Sequence, residues 1–168
     1  MDEIINKVAS SGLVSLDLEN FYPPEDVKGF DLKPFLFMEM ILKEKDFRQA
    51  LRELDWSAYD GKAVAVYCSA DAIIPMWAYM LVTSYLQPTA AYVFLGNEEA
   101  LIRQLFLQKI SALDIEAFRD QRVVIKGCGD KAVPPEAYVE ITRRLQPVVK
   151  SIMFGEPCST VPVYKKKG

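Results

Sequence analysis

Three cysteines carry most of the chemistry this sequence can offer, and each stands among acidic, small or turn-forming residues. Cys68 lies in CSAD with Asp71, Cys128 in CGD with Asp130, and Cys158 in GEPCST with Glu156, Ser159 and Thr160. Ser69, Ala70, Gly127, Gly129 and Pro157 fill the intervals, a composition that suits loops whose backbone comes close to a bound group. Three thiolates neutralise a divalent ion with one charge in excess, and an aspartate oxygen, a water or an external ligand completes a tetrahedron around zinc or iron. An incomplete thiolate set also holds an iron–sulfur cluster with one exchangeable corner. The expected metal ligands are therefore Cys68, Cys128 and Cys158, with Asp71 or Asp130 as oxygen ligand or outer-shell partner. Zinc, iron and a cluster all remain open.

Each residue also has a plainer role. The spacing is not that of a compact CxxC pair, and free cysteine is among the most buried residue types, so packing alone accounts for a thiol at a strand end. Asp71 suits the N-cap of the apolar helix that follows, and Asp130 suits a turn. A second chemistry needs no metal: a thiol at a helix N-terminus has a lowered pKa, so Cys68 or Cys128 can act as a nucleophile or persulfide carrier resolved by another cysteine. Neither is followed by a nearby arginine of the phosphatase-loop kind, and the glycines around Cys128 form neither GxGxxG nor a P-loop. A third possibility is a non-catalytic interaction module with structural cysteines, supported by the dense apolar segment Phe30 to Leu42, part of which is expected to stay exposed.

Composition narrows the field. The chain of 168 residues contains no histidine, which removes Ser-His-Asp and Cys-His nucleophiles, HExxH hydrolysis and imidazole proton shuttles. Any acid–base step falls to a carboxylate or tyrosine, and enzymatic turnover is not implied. Twenty Lys and Arg against 23 Asp and Glu give −3, no field for holding a nucleic acid. The N-terminus MDEIINKVASSG has no signal-peptide pattern, and the most apolar stretch, Ala70 to Leu86, is interrupted by Asp71 and Pro75 and is too short for a bilayer span. A cytoplasmic protein without membrane association is expected, and in that reducing setting three cysteines are not a disulfide framework.

The elements that must position these loops come from an alternation of β-branched runs and helical periods between residues 63 and 155. AVAVYC (63–68), AAYVFL (90–95), RVVIKG (122–127) and KSIMFG (150–155) read as strands. Helices are expected before Gln87-Pro88, after Gly96-Asn97 with Leu101, Leu105 and Ile110 inward, and from Pro135 to Pro147. That pattern gives an α/β fold: one domain, a mainly parallel sheet of about five strands with helices on both faces, in a Rossmann-like three-layer arrangement. The open end of such a sheet lies at the strands' carboxyl ends, where all three cysteines fall. Residues 1–62 form a less regular N-terminal part of the same domain, with an edge strand at Leu13 to Leu18 and a helix from Pro34 to about Leu54, and residues 156–168 form a loop and a lysine tail. No internal repeat is evident.

The segments LVSLDLENFYPP, FMEMILKEKDFR, CSADAIIPMWAYML, VVIKGCGD and SIMFGEPCSTVPVYK together resemble the bacterial family known as domain of unknown function 2480. The likeness covers nearly the whole chain, CSADAI and FGEPCSTVP being its most specific parts. It implies no established activity. Members of that family lie beside genes of the sulfur-mobilisation system, so the resemblance implies a role as an accessory factor in iron–sulfur cluster assembly, with assembly proteins as partners.

Overall fold

The β-branched runs form eight strands and the apolar periods four helices in the computed structural model, which describes residues 5–8, 12–127, 129–156 and 159–168. The strands are β1 (Ile5–Val8), β2 (Leu13–Asp17), β3 (Val27–Asp31), β4 (Ala63–Tyr67), β5 (Tyr92–Leu95), β6 (Arg122–Lys126), β7 (Ser151–Glu156) and β8 (Ser159–Lys165). The helices are α1 (Glu44–Glu53), α2 (Met76–Leu86), α3 (Glu98–Ser111) and α4 (Pro135–Leu145). The class is mixed α/β with mostly parallel strands, as expected, but the strands divide between two sheets. One has the order β1-β2-β6-β7-β8 and the other β3-β4-β5.

Two compact units carry these sheets. The first comprises residues 1–23 and 103–168, the second residues 24–102. In the first unit β2, β6 and β7 run parallel, with β1 and β8 antiparallel at the edges. Pro162 is tolerated in β8 because an edge strand can forgo a ladder donor. In the second unit all three strands are parallel. Its core joins Phe30, Leu32, Phe47, Leu51, Val64, Val66, Ala78, Val82 and Leu86.

The two units are copies of one motif, contrary to the expectation of no internal repeat. A constant displacement of 59 positions carries α2 onto α4 and β4 onto β6, and the 3-10 turn Trp56–Tyr59 onto Ile115–Phe118. The same shift carries Phe47 onto Phe106, Leu51 onto Ile110, Val82 onto Ile141 and Leu86 onto Leu145, every one of them buried. Local detail repeats too. Pro75 and Pro134 are the extended N-caps of α2 and α4. The hydroxyls of Thr83 and Thr142 each donate to the carbonyl four residues back, of Tyr79 and Tyr138, both at 2.7 Å. Before the helices, a shift of 14 carries β2 onto β3, and Asp17 and Asp31 each accept the backbone N–H two residues on. Sheet register agrees as well: β2 meets β6 at Leu13 and Arg122 as β3 meets β4 at Val27 and Ala63. One copy is nested in the other, because residues 24–102 interrupt the first unit between β2 and the rest of it.

The N-terminal third departs most from the pattern read in the sequence. Strand β3 was not expected, and the helix read from Pro34 to Leu54 is only the ten residues of α1, preceded by a 3-10 turn at Lys33–Phe35 and a reversal at 37–41. Met38 and Glu39 there have φ of 51° and 58°, left-handed values that end any right-handed helix. Helix α2 buries one face only; Met76 and Met80 on the other are 66% and 70% exposed. No described helix is long and apolar enough to cross a membrane.

Candidate functional site

Parallel strands deliver their following loops to one edge, so each unit has a carboxyl edge built from three strand ends. In the second unit these are Asp31, Tyr67 and Leu95, and Cys68 and Ser69 follow Tyr67 directly. Asp31 organises the edge: its Oδ2 accepts the Ser69 hydroxyl at 2.5 Å, and its Oδ1 accepts the N–H groups of Ser69 and Lys33, each at 2.9 Å. Burial pushes the Asp31 carboxyl up, but the Ser69 hydroxyl, the two N–H donors and the Lys33 charge outweigh it and hold the carboxyl below its ordinary 3.8. The neighbouring Tyr67 hydroxyl is pushed up by burial and by the charges of Asp31 and Glu98. The Glu98 carboxylate lies against the face of Gly29, where a Cβ would displace it.

A depressed carboxylate pKa contributes stability at pH above the unfolded value of about 3.9 and loses it as pH falls through the folded value. Ser69→Ala is therefore expected to raise the Asp31 pKa and to start acid unfolding at higher pH. Carbon-detected NMR titration of the Asp31 carboxyl checks it; an unchanged midpoint would show that the hydroxyl does not stabilise the carboxylate.

Cys68 is half-buried, and its thiol donates to the Ala70 carbonyl at 3.6 Å. Burial, and secondarily Cys68, push the Tyr79 hydroxyl above its ordinary value of 10.0. Asp71 is exposed and does not cap α2, whose first residue comes five positions later behind Pro75. Asp130 is likewise exposed in a bend, and α4 begins behind Pro134. Pro135 takes the first helical position as expected, and Glu136 pairs with Arg103 at 3.2 Å.

Cys128 and Cys158 lie outside the described residues. Cys68 and Asp71 belong to the second unit and Asp130 to the first. Among the described residues no group of three or more Cys, Asp or Glu side chains is placed to hold a metal ion. The chain does lead to Cys128 and Cys158 from neighbouring strands, since β6 and β7 pair in parallel from Arg122 and Ser151 onward.

Two carboxylates on these edges were not read from the sequence. One is Asp31. The other is Glu19, just beyond β2, which accepts the Lys131 N–H at 2.6 Å from 112 positions away. A Cβ at residue 129 would overlap its carboxylate, and the Lys131 ammonium lies 5.3 Å from the Tyr22 ring centroid. Gly129 is the one local sign of this approach, a residue without side chain where a distant carboxylate must enter.

The fold and its edge loops define a class: an α/β protein built from a duplicated strand–helix–strand motif, with a cysteine and an exposed aspartate in each copy of the same loop. The chain belongs to the family described as Protein of unknown function (DUF2480), whose model matches residues 2–166. No match was found among curated proteins or among solved structures.

Proposed function

We propose that the protein binds zinc, iron or an iron–sulfur cluster through cysteine thiolates at the carboxyl edges of its parallel strands, as an accessory factor in cluster assembly. The observation that carries this reading is the repeated loop. Under the 59-residue shift Asp71 corresponds to Asp130, and the loops CSAD and GCGD each hold one cysteine. Other identities between the copies have structural tasks: a proline N-cap, a threonine bonding back to tyrosine. The paired aspartates cap no helix and face solvent, where a ligand can reach them. Cys128 and Cys158, reached from the adjacent strands β6 and β7, are the first candidates for a shared ion, with Asp130 as the oxygen donor. In the other copy Asp71 holds the position of Asp130, and Cys68 stands one position before the counterpart of Cys128.

The test is elemental analysis with an ultraviolet–visible spectrum on untagged protein purified without oxygen. Stoichiometric metal is expected, lost in Cys128→Ser and in Cys158→Ser; sulfur-to-iron charge-transfer bands would identify iron. Loss in Cys68→Ser as well would extend the ligand set to all three thiols. Protein that stays metal-free after anaerobic reconstitution with zinc, or with iron and sulfide, overturns the reading.

The interaction-module reading has an observation of its own. Phe37, Met38, Met40 and Ile41 are 48%, 73%, 64% and 56% exposed, a cluster of apolar side chains that the fold of their own chain leaves in water.

A further inference from the structure

At the amino ends of its strands, away from the carboxyl edge and its cysteine loops, the first unit carries a row of polar residues. Register sets Arg122, the first residue of β6, beside Ser151, the first of β7, and sets Ser151 beside Lys165 at the end of β8. Residues paired across strands point to the same face, so two cations flank one hydroxyl. Just along β7 the register with β8 shifts between Ile152 and Met153, and an irregularity of this kind bends a strand and re-aims its side chains.

A depression of about 350 Å³ opens there, with Lys150, Lys165 and Ser151 among its polar lining and Met153 and Pro162 among its apolar lining. No acidic side chain lines it. Among the described residues neither Lys150 nor Lys165 has an ion pair, whereas the adjacent Lys166 pairs with Asp120 at 3.7 Å. In a chain of net charge −3 this is a local field of the opposite sign. The Ser151 hydroxyl is buried without a hydrogen-bond partner among the described residues, an arrangement rare in native proteins. Ser151 as a whole is only half-buried, so a change of side-chain rotamer turns its hydroxyl toward an acceptor in the depression.

We propose that this depression binds a small phosphate monoester with an apolar body. Two ammonium groups without acidic partners match a dianion better than a monoanion, and a phosphate monoester carries a charge of about −1.5 to −2 at pH 7. Its oxygens accept from Lys150, Lys165 and the Ser151 hydroxyl together, bonds strengthened by the charges on both sides. The apolar body lies against Met153 and Pro162, where the flexible thioether adapts to its shape. The volume is at the small end of the range of about 300–1,000 Å³ usual for ligand sites, which suits a single ring or a short alkyl chain. Every residue involved belongs to the first unit, and the site is independent of metal binding at the other end of the strands.

Titration with phenyl phosphate, followed by amide NMR, tests the proposal, with circular dichroism to verify that each variant is folded. Saturable shifts are expected at the amides of Ser151, Met153 and Lys165. Inorganic phosphate, benzoate and benzyl alcohol, which each lack one part of the probe, are expected to bind about tenfold more weakly or less. The Lys150→Gln, Lys165→Gln double variant and the Ser151→Ala variant are each expected to lose about tenfold in affinity for phenyl phosphate. Lys45→Gln, which removes an exposed charge from the second unit, is expected to leave that affinity unchanged. Absence of saturable shifts at the three amides overturns the proposal. So does a folded double variant or Ser151→Ala variant that binds as tightly as the wild type, a loss in Lys45→Gln equal to that of the double variant, or any of the three partial probes matching phenyl phosphate.

Discussion

Truncating Phe106 to alanine is expected to lower folding stability by about 3–5 kcal/mol, and Phe47→Ala to lower it by a similar amount. Both side chains are within 1% of complete burial, so nothing of the lost transfer energy is recovered from solvent, and each leaves a cavity that rigid strands on one side cannot collapse into. The partners differ: Phe106 meets Tyr22 edge-on at 5.6 Å, whereas Phe47 contacts Phe35 at 6.2 Å and Trp77 at 6.0 Å. The near-equality of the two costs follows from the repeat, which gives each phenylalanine the same seat on the helix preceding the 3-10 turn. Urea denaturation of the two variants measures it. A cost below about 1 kcal/mol at either position would mean that its seat is not part of a packed core.

The second large effect is expected at Gly155. Glycines close the copies of the motif at corresponding positions, Gly96 with φ of 145° and Gly155 with φ of 111°, and both therefore resist any side chain. What a Cβ would meet differs. At Gly96 it stands 2.6 Å from an atom of the Phe94 ring, which can swing aside. At Gly155 it stands 2.8 Å from the Ser159 backbone carbonyl, which is held in the β7–β8 ladder. Gly155→Ala is expected to cost about 1–3 kcal/mol for the backbone conformation, with a further penalty from the clash that Gly96→Ala avoids. Thermal melts of the two variants decide it. A larger loss for Gly96→Ala would show that the hairpin, not the ring, is the part that yields.

How much of this was legible follows from what each element buries. Strands β4 and β6 were readable because Val64 and Val66, and Val123 to Ile125, are covered on both faces and so are apolar in succession. Helices α2, α3 and α4 announced themselves by Leu101, Leu105 and Ile110 or by Pro135 and Pro147. Strand β3 did not, because VKGFD buries only Phe30. Nor did β8, where Pro157 and Pro162 suggest a loop and every residue but Thr160 and Tyr164 is exposed. The false helix over 34–54 came from a period that Phe37 and Ile41 satisfy in spacing while facing water.

The repeat was present in the sequence as scattered identities such as Asp55 and Asp114, Tyr79 and Tyr138, or Gln87-Pro88 and Gln146-Pro147. The core between them exchanges Val for Ile and Leu for Ile, swaps that preserve packing and erase resemblance. For the candidate site, the strand ends were readable, and Cys68 follows β4 as read, while Cys128 and Cys158 lie outside the described residues. The carboxylates of Asp31 and Glu19 were not readable, since their partners Ser69 and Lys131 lie 38 and 112 positions away and meet them only when β3 pairs with β4 and β2 with β6.

Nesting one copy of the motif inside the other fixes the order in which the protein can be made. Strand β2 leaves the ribosome about 105 residues before its partner β6, which at roughly 5–20 residues per second is an interval on the order of 5–20 s. All three strands of the inner copy, β3 to β5, emerge within that interval. The outer sheet therefore waits with only the β1–β2 pair formed and the β6-facing edge of Leu13 to Asp17 open, while all three strands of the inner one are present, and a chain truncated after residue 102 keeps the inner strands together with the β1–β2 pair. Vectorial synthesis thus favours pairing β3, β4 and β5 with one another before the similar strands β6 and β7 exist to compete, which guards a duplicated sequence against exchanging strands between its two halves.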